Sequence, residues 1–415
     1  METFLKIDKQ SGFGLNNIPF GVFRLQNEDE SKGRCCTRIG DFVIDLSVLE
    51  EAGKLKSLCE RVFNRPYLND FMESGKDCWT AVREELQQLF KAGSVLENEK
   101  ELMSKAVFDL SAVVMMMPCK VGDYTDFYSS KNHAFNLGSM FRGPENALQP
   151  NWLWLPVGYH GRASSVVVSP AEFNRPMGQL KKPDAPKPTL GKSNRMDFEL
   201  EMVTLVGKSN KLGEPVDIKN AKDHIFGYLL MNDVSARDIQ KWEYVPLGPF
   251  TAKNCITVVS AWVITAMALE PFKCEMPKQD PAPLDYLQDP DYSLYDVRLE
   301  VGIKTEKMND YESLAVSNMN YLYWSPSQQL THHTISGCNM QPGDMLGSGT
   351  ISGPDQSKEG GSLIELSWNG KEKIQLSNKE ERTFWADGDT IRMTGVARKD
   401  GQVVSFGDCV AKLQP

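Results

Sequence analysis

The residues best suited to chemistry fall in three short stretches. In Asp197-Phe-Glu-Leu-Glu-Met-Val203, the apolar Phe198, Leu200 and Met202 alternate with Glu199 and Glu201. That period belongs to a strand and sets the two glutamates on one face, about 6.5 Å apart. Carboxylates so placed repel unless water solvates them or a cation bridges them. The pattern alone fits a wet acidic strand face as well as a metal site. In the second stretch, an apolar run from Tyr228 ends in Asn232-Asp233, with a short helix expected behind it. Asp233, Arg237, Gln240 and Tyr244 recur at i, i+4, i+7 and i+11, a polar stripe at helical spacing. Asp233 can serve there as an N-cap, or as a carboxylate held at a strand end to meet a ligand, with Arg237 and Gln240 as donors. The third stretch runs from Val121 to His133, rich in tyrosine and carboxylate, with Phe141-Arg142-Gly143 after it. The chain has five histidines, at 133, 160, 224, 332 and 333. General-base chemistry near neutral pH favours this side chain, so the candidates are few. His332 and His333 are expected to point opposite ways in a strand, which argues against their acting as a pair.

The elements that must position these residues change character near Pro118. Before it, Pro19–Leu25 and Arg38–Leu46 read as strands of a small β unit, with a hairpin turn at Gly40-Asp41. Val82, Leu86, Leu89 and Phe90 form one face of an amphipathic helix that Gly93 can end. A second helix is expected over Glu97–Phe108, then a short strand over Val113–Met117. Beyond Pro118, strands are expected at Ser164–Ser169, Phe198–Val206, Phe226–Asn232, Ser260–Met267, Val297–Ile303 and Leu363–Trp368. Another should follow the Asp387-Gly-Asp389 turn, over Thr390–Thr394. Proline-rich loops at Asn174–Arg195 and Phe272–Tyr292 separate them. The expectation is a mostly β chain with some helix, divided into domains at 1–118 and 119–415.

Composition narrows the functional classes. A chain of 415 residues with 41% apolar and 24% charged residues matches a globular enzyme. A net charge of −9, with no basic run to track phosphates, argues against nucleic acid as a partner. The longest nearly apolar run, Ile256–Leu269, is shorter than the roughly 20 residues of a membrane-spanning helix, and METFLKIDKQSGFG lacks the apolar core of a secretory signal. Nine scattered cysteines without CxxC spacing read as reduced thiols, so a cytosolic setting is expected.

Several long motifs carry a resemblance. Gly122-Asp-Tyr-Thr-Asp-Phe-Tyr-Ser-Ser130, Pro156-Val-Gly-Tyr-His-Gly-Arg-Ala-Ser-Ser165, Met231-Asn-Asp233, Ser235-Ala-Arg-Asp-Ile-Gln240, Trp242-Glu-Tyr-Val-Pro-Leu-Gly-Pro-Phe250 and Gly349-Thr-Ile-Ser-Gly353 look like the fumarylacetoacetase family. The likeness runs from about Pro19 to the C-terminus. It implies a small SH3-like β-barrel N-terminal domain, a larger C-terminal β-sandwich or roll, and a homodimer. It implies a calcium or magnesium ion held by Asp126, Glu199, Glu201 and Asp233, with Lys253 and Thr257 in the metal region and a second, magnesium-like ion near Thr257. Four anionic oxygens do suit a hard cation, and so many carboxylates favour calcium. The resemblance further implies His133 as the base that activates water, steadied by Glu365, with Arg237, Gln240 and Lys253 stabilising charge. Substrate contacts would come from Tyr128, Arg142, Tyr159, Gln240, Tyr244 and Thr350. The implied reaction is hydrolysis of fumarylacetoacetate to fumarate and acetoacetate in tyrosine and phenylalanine breakdown.

One segment departs from the family pattern FLGKSFGTTISPW. Here Phe250–Trp262 keeps Lys253, Thr257, Ser260 and Trp262, but puts Ala252 and Ile256 where glycines stand and Ala261 where a proline stands. A β-branched isoleucine resists the close backbone approach that glycine allows. Val234 likewise replaces a tryptophan of the pocket wall. Two other readings stay open on these grounds: a hydrolase of a related acylpyruvate, and a catalytically weakened relative that binds metal and serves as an interaction protein.

Overall fold

The computed structural model describes residues 2–8 and 10–415. At its centre is an eight-stranded sheet. Gly158–His160, Tyr124–Phe127, Met345–Gly347, Leu200–Val206, Ile225–Asp233, Thr257–Val259 and Val166–Val168 follow one another across it, and Ile264–Thr265 pairs with Ile225–Asp233. The two longest of these strands are buried along their whole length. Alternation along them sorts side chains to two different cores. Leu200, Met202, Tyr228 and Leu230 face Leu299, Val301, Met393 and Phe406, which belong to a five-stranded sheet of the C-terminal half. Val203, Leu205, Leu229 and Met231 face Phe20, Phe63, Phe71 and Trp79 of the N-terminal region. Phe226 completes that second core, its ring 5.1 Å from Trp79 and 5.7 Å from Phe71. A strand packed on both faces cannot shift register without exposing a core, so its end is a rigid place for a functional side chain.

The N-terminal unit is a five-stranded antiparallel sheet. Its strands are Phe20–Leu25, Arg34–Ile39, Phe42–Asp45, Val107–Asp109 and Val113–Met116, and Gly40, at φ 60°, makes the expected hairpin turn. The helix expected over Glu97–Phe108 is shorter, Lys100–Ala106, and its last residues turn into a strand that pairs with Phe42–Asp45. Among the described residues no helix is long and apolar enough to cross a membrane.

Four local expectations are corrected. Leu363–Leu366 is one helical turn, not a strand. The cause is distant in sequence: Asp197 accepts from Leu363 N at 2.7 Å and Ile364 N at 3.1 Å, so a buried carboxylate caps the turn. His332 and His333 lie in the helix Pro326–Thr334, opened by a Ser325/Gln328 capping box with Pro326 at its first position. They do go separate ways, His332 to the Tyr286 hydroxyl and His333 to Thr125 Oγ1. The Ser260–Met267 run holds only the Ile264–Thr265 strand before the helix Ala266–Leu269, which Thr265 caps. Finally, Asp233 is not on the helix with Arg237. The helix is Arg237–Glu243, its N-cap is Ala236, and Asp233 is the last residue of its strand.

Candidate functional site

Neighbouring strands deliver the acids to one end of the central sheet. Asp126 pairs in register with Gly347, Glu201 with Met231, and Asp233 with Thr257. Oxygens of Asp126, Glu201 and Asp233 converge within 4.8 Å of one another, and all three residues are at most 3% exposed. Glycine keeps the space between them open, since a Cβ on Gly347 would lie 2.8 Å from Asp126 Oδ1. Gly349, at φ 73°, lets the following turn pass against Phe127 O, and so brings the buried Thr350 beside the Asp126 strand.

The partners of these carboxylates are unequal. Glu199 accepts from Arg237 Nη2 at 2.8 Å and Ser235 Oγ at 3.1 Å, and Lys253 Nζ bonds both Glu199 and Asp233. Arg237 Nε also donates to Asp197 at 2.8 Å, and its Nη1 to Gln240 Oε1 at 3.1 Å. Thr257 Oγ1 donates to Asp233 at 3.3 Å, and the Tyr159 hydroxyl to Asp126 at 2.9 Å. Neither oxygen of Glu201 has a partner, and Asp126 Oδ1 has none. Two cations, Arg237 and Lys253, thus bond three of five buried carboxylates, Asp197, Glu199 and Asp233, and leave Asp126 and Glu201 without a cationic partner. Burial, then the repulsion of Asp233, pushes Asp126 up to about 8. Burial and the charges of Asp126 and Asp233 drive Glu201 well above the usual carboxylate range. Glu199 goes the other way: burial opposes its charge, but Arg237 and Lys253 outweigh it and hold it well below.

Orphaned anionic oxygens facing a glycine-opened space are what a hard divalent cation needs, and an all-oxygen donor set suits calcium or magnesium better than softer metals. The residues present fit such an ion.

His133 sits opposite. It lies in the first turn of the helix Lys131–Arg142, capped by Ser130, and is 2% exposed. Its Nδ1 lies 2.7 Å from Glu365 Oε2, and its Nε2 lies 3.9 Å from Glu199 Oε1. A carboxylate only accepts, so Nδ1 carries the proton and Nε2 presents its lone pair to the site. Glu365 is further held by Ser362 Oγ at 2.7 Å, Ser352 Oγ at 2.9 Å and Asn136 Nδ2 at 2.9 Å. Burial pushes its carboxyl up, but His133 and these donors hold it below its ordinary value. The Tyr128 ring meets the His133 ring edge-on at 5.4 Å.

The structure therefore brings Asp126, Tyr128, His133, Tyr159, Glu199, Glu201, Asp233, Arg237, Gln240, Lys253, Thr257 and Glu365 into one connected network. Arg142 and Tyr244 lie outside it. Both are exposed, and Arg142 donates to Asn146 O and Ala147 O of its own loop. The substituted positions Val234, Ala252, Ile256 and Ala261 are buried in the core, and Lys253 still reaches its carboxylates. Sequence reasoning missed Asp197, Asn136, Ser352 and Ser362. Two of these carried a signal: Asp197 shares the alternating face of Glu199 and Glu201, and Asn136 follows His133 by one helical turn.

Comparison with known proteins gives the family. Residues 16–118 match the fumarylacetoacetase N-terminal family and residues 123–412 the fumarylacetoacetate hydrolase C-terminal family. The chain is similar to the fumarylacetoacetase of Dictyostelium discoideum, 48% identical over 425 residues and covering 100% of this chain and 98% of that one. It is 47% identical over 416 residues to that of Homo sapiens, covering 100% and 99%. Among solved structures, a fumarylacetoacetate hydrolase from Exiguobacterium antarcticum superposes with a TM-score of 0.53 at 15% identity, covering 96% of this chain and 99% of that one. A 2-hydroxyhepta-2,4-diene-1,7-dioate isomerase from Mycobacterium marinum gives 0.50 at 13%, covering 96% and 98%, a likeness of fold alone. The chain is a hydrolase that belongs to the fumarylacetoacetase family.

Proposed function

We propose that this chain hydrolyses a carbon–carbon bond of 4-fumarylacetoacetate, releasing fumarate and acetoacetate at the end of tyrosine and phenylalanine breakdown. The observation that carries the reading is a buried His133–Glu365 pair opposite a carboxylate cluster with unpaired oxygens. A divalent cation held by Asp126, Glu199, Glu201 and Asp233 would supply Lewis-acid polarisation of the diketo oxygens, with calcium favoured by the carboxylate count. His133 Nε2 takes a proton from water, and the hydroxide adds to the carbonyl carbon. Glu365 stabilises the imidazolium so formed. Arg237, Gln240 and Lys253 face the negative charge that develops on oxygen. As the carbon–carbon bond breaks, its electron pair stays on the departing carbon, and Lys253 donates the proton that completes acetoacetate. Tyr128, Tyr159, Gln240 and Thr350 line the substrate. Arg142 and Tyr244 close over it from the rim, with Arg142 meeting a terminal carboxylate. The working form is a cytosolic homodimer, its domains meeting near 118. Nine free cysteines suit a reducing compartment.

The substituted segment keeps Lys253 on Glu199 and Asp233 and Thr257 paired with Asp233, which favours catalysis over a weakened relative. The test is turnover of fumarylacetoacetate with calcium, followed by loss of diketone absorbance, beside a chelated sample and His133→Ala. Metal-dependent loss that the variant lacks is expected. No loss from folded, metal-loaded protein would redirect the assay to acylpyruvates, and failure there too would leave only the non-catalytic reading.

A further inference from the structure

Three side chains bond Glu199: Ser235, Arg237 and Lys253. All lie within one span of chain, residues 235–253, built as the helix Arg237–Glu243 and a return loop. The loop itself has little to anchor it. Val245, Leu247 and Phe250 are 67%, 94% and 68% exposed, so apolar burial does not fix its path. Lys253 must nonetheless be held, because it is buried with its ammonium between two carboxylates.

What ties the loop back is Glu243, the last residue of the helix. Its Oε1 accepts from Phe250 N at 2.9 Å and Ala252 N at 2.8 Å, and its Oε2 accepts from Thr251 Oγ1 at 2.5 Å. Two backbone bonds add to these ties: Ala236 N donates to Ala252 O at 3.0 Å, and Gly248 N to Tyr244 O at 2.7 Å. A carboxylate at a helix C-terminus faces the negative end of the macrodipole, an unfavourable position unless donors offset it. Here three donors do, and all three come from the residues immediately before Lys253. The helix thus grips the acid cluster twice, directly through Arg237 at its start and through the Glu243-bound turn at its end. We propose that Glu243 is a positioning residue that sets Lys253 against Glu199 and Asp233. The catalytic consequence rests on the role given to Lys253 above.

The test compares Glu243→Ala with Glu243→Gln, which keeps an acceptor for both backbone N–H groups. The first readout needs no substrate: amine acylation of the folded proteins, quantified for Lys253 by peptide mass spectrometry against exposed Lys211. In Glu243→Ala, Lys253 labelling should rise about tenfold through local opening of the turn, and in Glu243→Gln it should stay within about twofold of the unsubstituted protein. On fumarylacetoacetate, Glu243→Ala should lose about tenfold or more in kcat with KM within about threefold, and Glu243→Gln should recover most of it. Unchanged Lys253 labelling in a folded Glu243→Ala protein would overturn the proposal, as would equal damage from both variants or an unaltered kcat. A rise shared by all amines would overturn it too, by showing general unfolding. If the unsubstituted protein does not turn over this substrate, the functional reading fails while the labelling still decides the role of Glu243.

Discussion

Glu365 and Glu201 are both glutamates buried to within 1% of complete, in the same network, yet their surroundings differ in kind. Glu365 receives four donors, from His133, Asn136, Ser352 and Ser362, and its carboxyl is held below its ordinary value against the effect of burial. Glu201 receives none and, with Asp126 and Asp233 beside it, is driven far up. A buried carboxylate costs free energy unless it is paired. The protein completes the first of these environments with its own side chains and leaves the second open to a ligand. On that contrast rests the division of labour: Glu365 serves a neighbouring imidazole, and Glu201 serves an ion.

The largest effect should come from the completed side. Glu365→Gln keeps an amide oxygen for Nδ1 but removes the negative charge that stabilises the protonated His133, and kcat should fall by about 10² to 10⁴. Calcium affinity by calorimetry should hardly move. A large loss of calcium binding would break the comparison, because it would show the two environments to be one.

Chelation probes the open side. An ion bound only by the folded state adds about 2.7 kcal/mol at a hundred times its Kd, so removing it should lower the melting temperature. Glu201→Gln should abolish that shift and make the chelated protein more stable than the unsubstituted chelated protein, since the cost of keeping a buried carboxyl protonated there is gone. An unchanged melting curve after chelation would count against an ion at this cluster.

Asn136→Ala sharpens the contrast by leaving Glu365 one donor short. Hydrogen bonds to charged groups contribute about 1.5–3 kcal/mol, and denaturant unfolding should show a loss of that order. A neutral result would mean the remaining donors suffice.

A further test is the slope of stability with pH, opposite in sign for the two sides. Glu365, held low, contributes stability above the ordinary glutamate range that is lost as pH falls through its lowered value. Asp126, raised to about 8, binds a proton in the folded metal-free protein where the unfolded chain has released it. Between its ordinary value near 3.8 and about 8, metal-free stability should therefore fall as pH rises. Saturating calcium should flatten that fall and release protons on binding near pH 7, visible as a dependence of binding heat on buffer. Stability that rises with pH across this window without metal would contradict an unpaired acid cluster.

Much of this was legible in local pattern. The alternation of Phe198 to Met202 placed Glu199 and Glu201 together, and the apolar run into Asn232-Asp233 placed a carboxylate at a strand end. Such features depend on neighbours two to four residues apart, which the linear chain displays. Glu365 came from the family resemblance and was expected in a strand, and that strand is a helical turn capped by Asp197, 166 and 167 positions away from the amides it binds. Its surroundings were hidden for the same reason, since Ser352, Ser362 and Asn136 converge from separate elements.

The sequence by itself determined which residue types were available and the faces they share along each element: acids at period two, and a carboxylate at the end of an apolar strand. Tertiary structure alone decided which carboxylates find partners. Whether a buried acid is finished or left open depends on donors brought in from strands and turns that pair across the fold, and local spacing carries no record of that pairing.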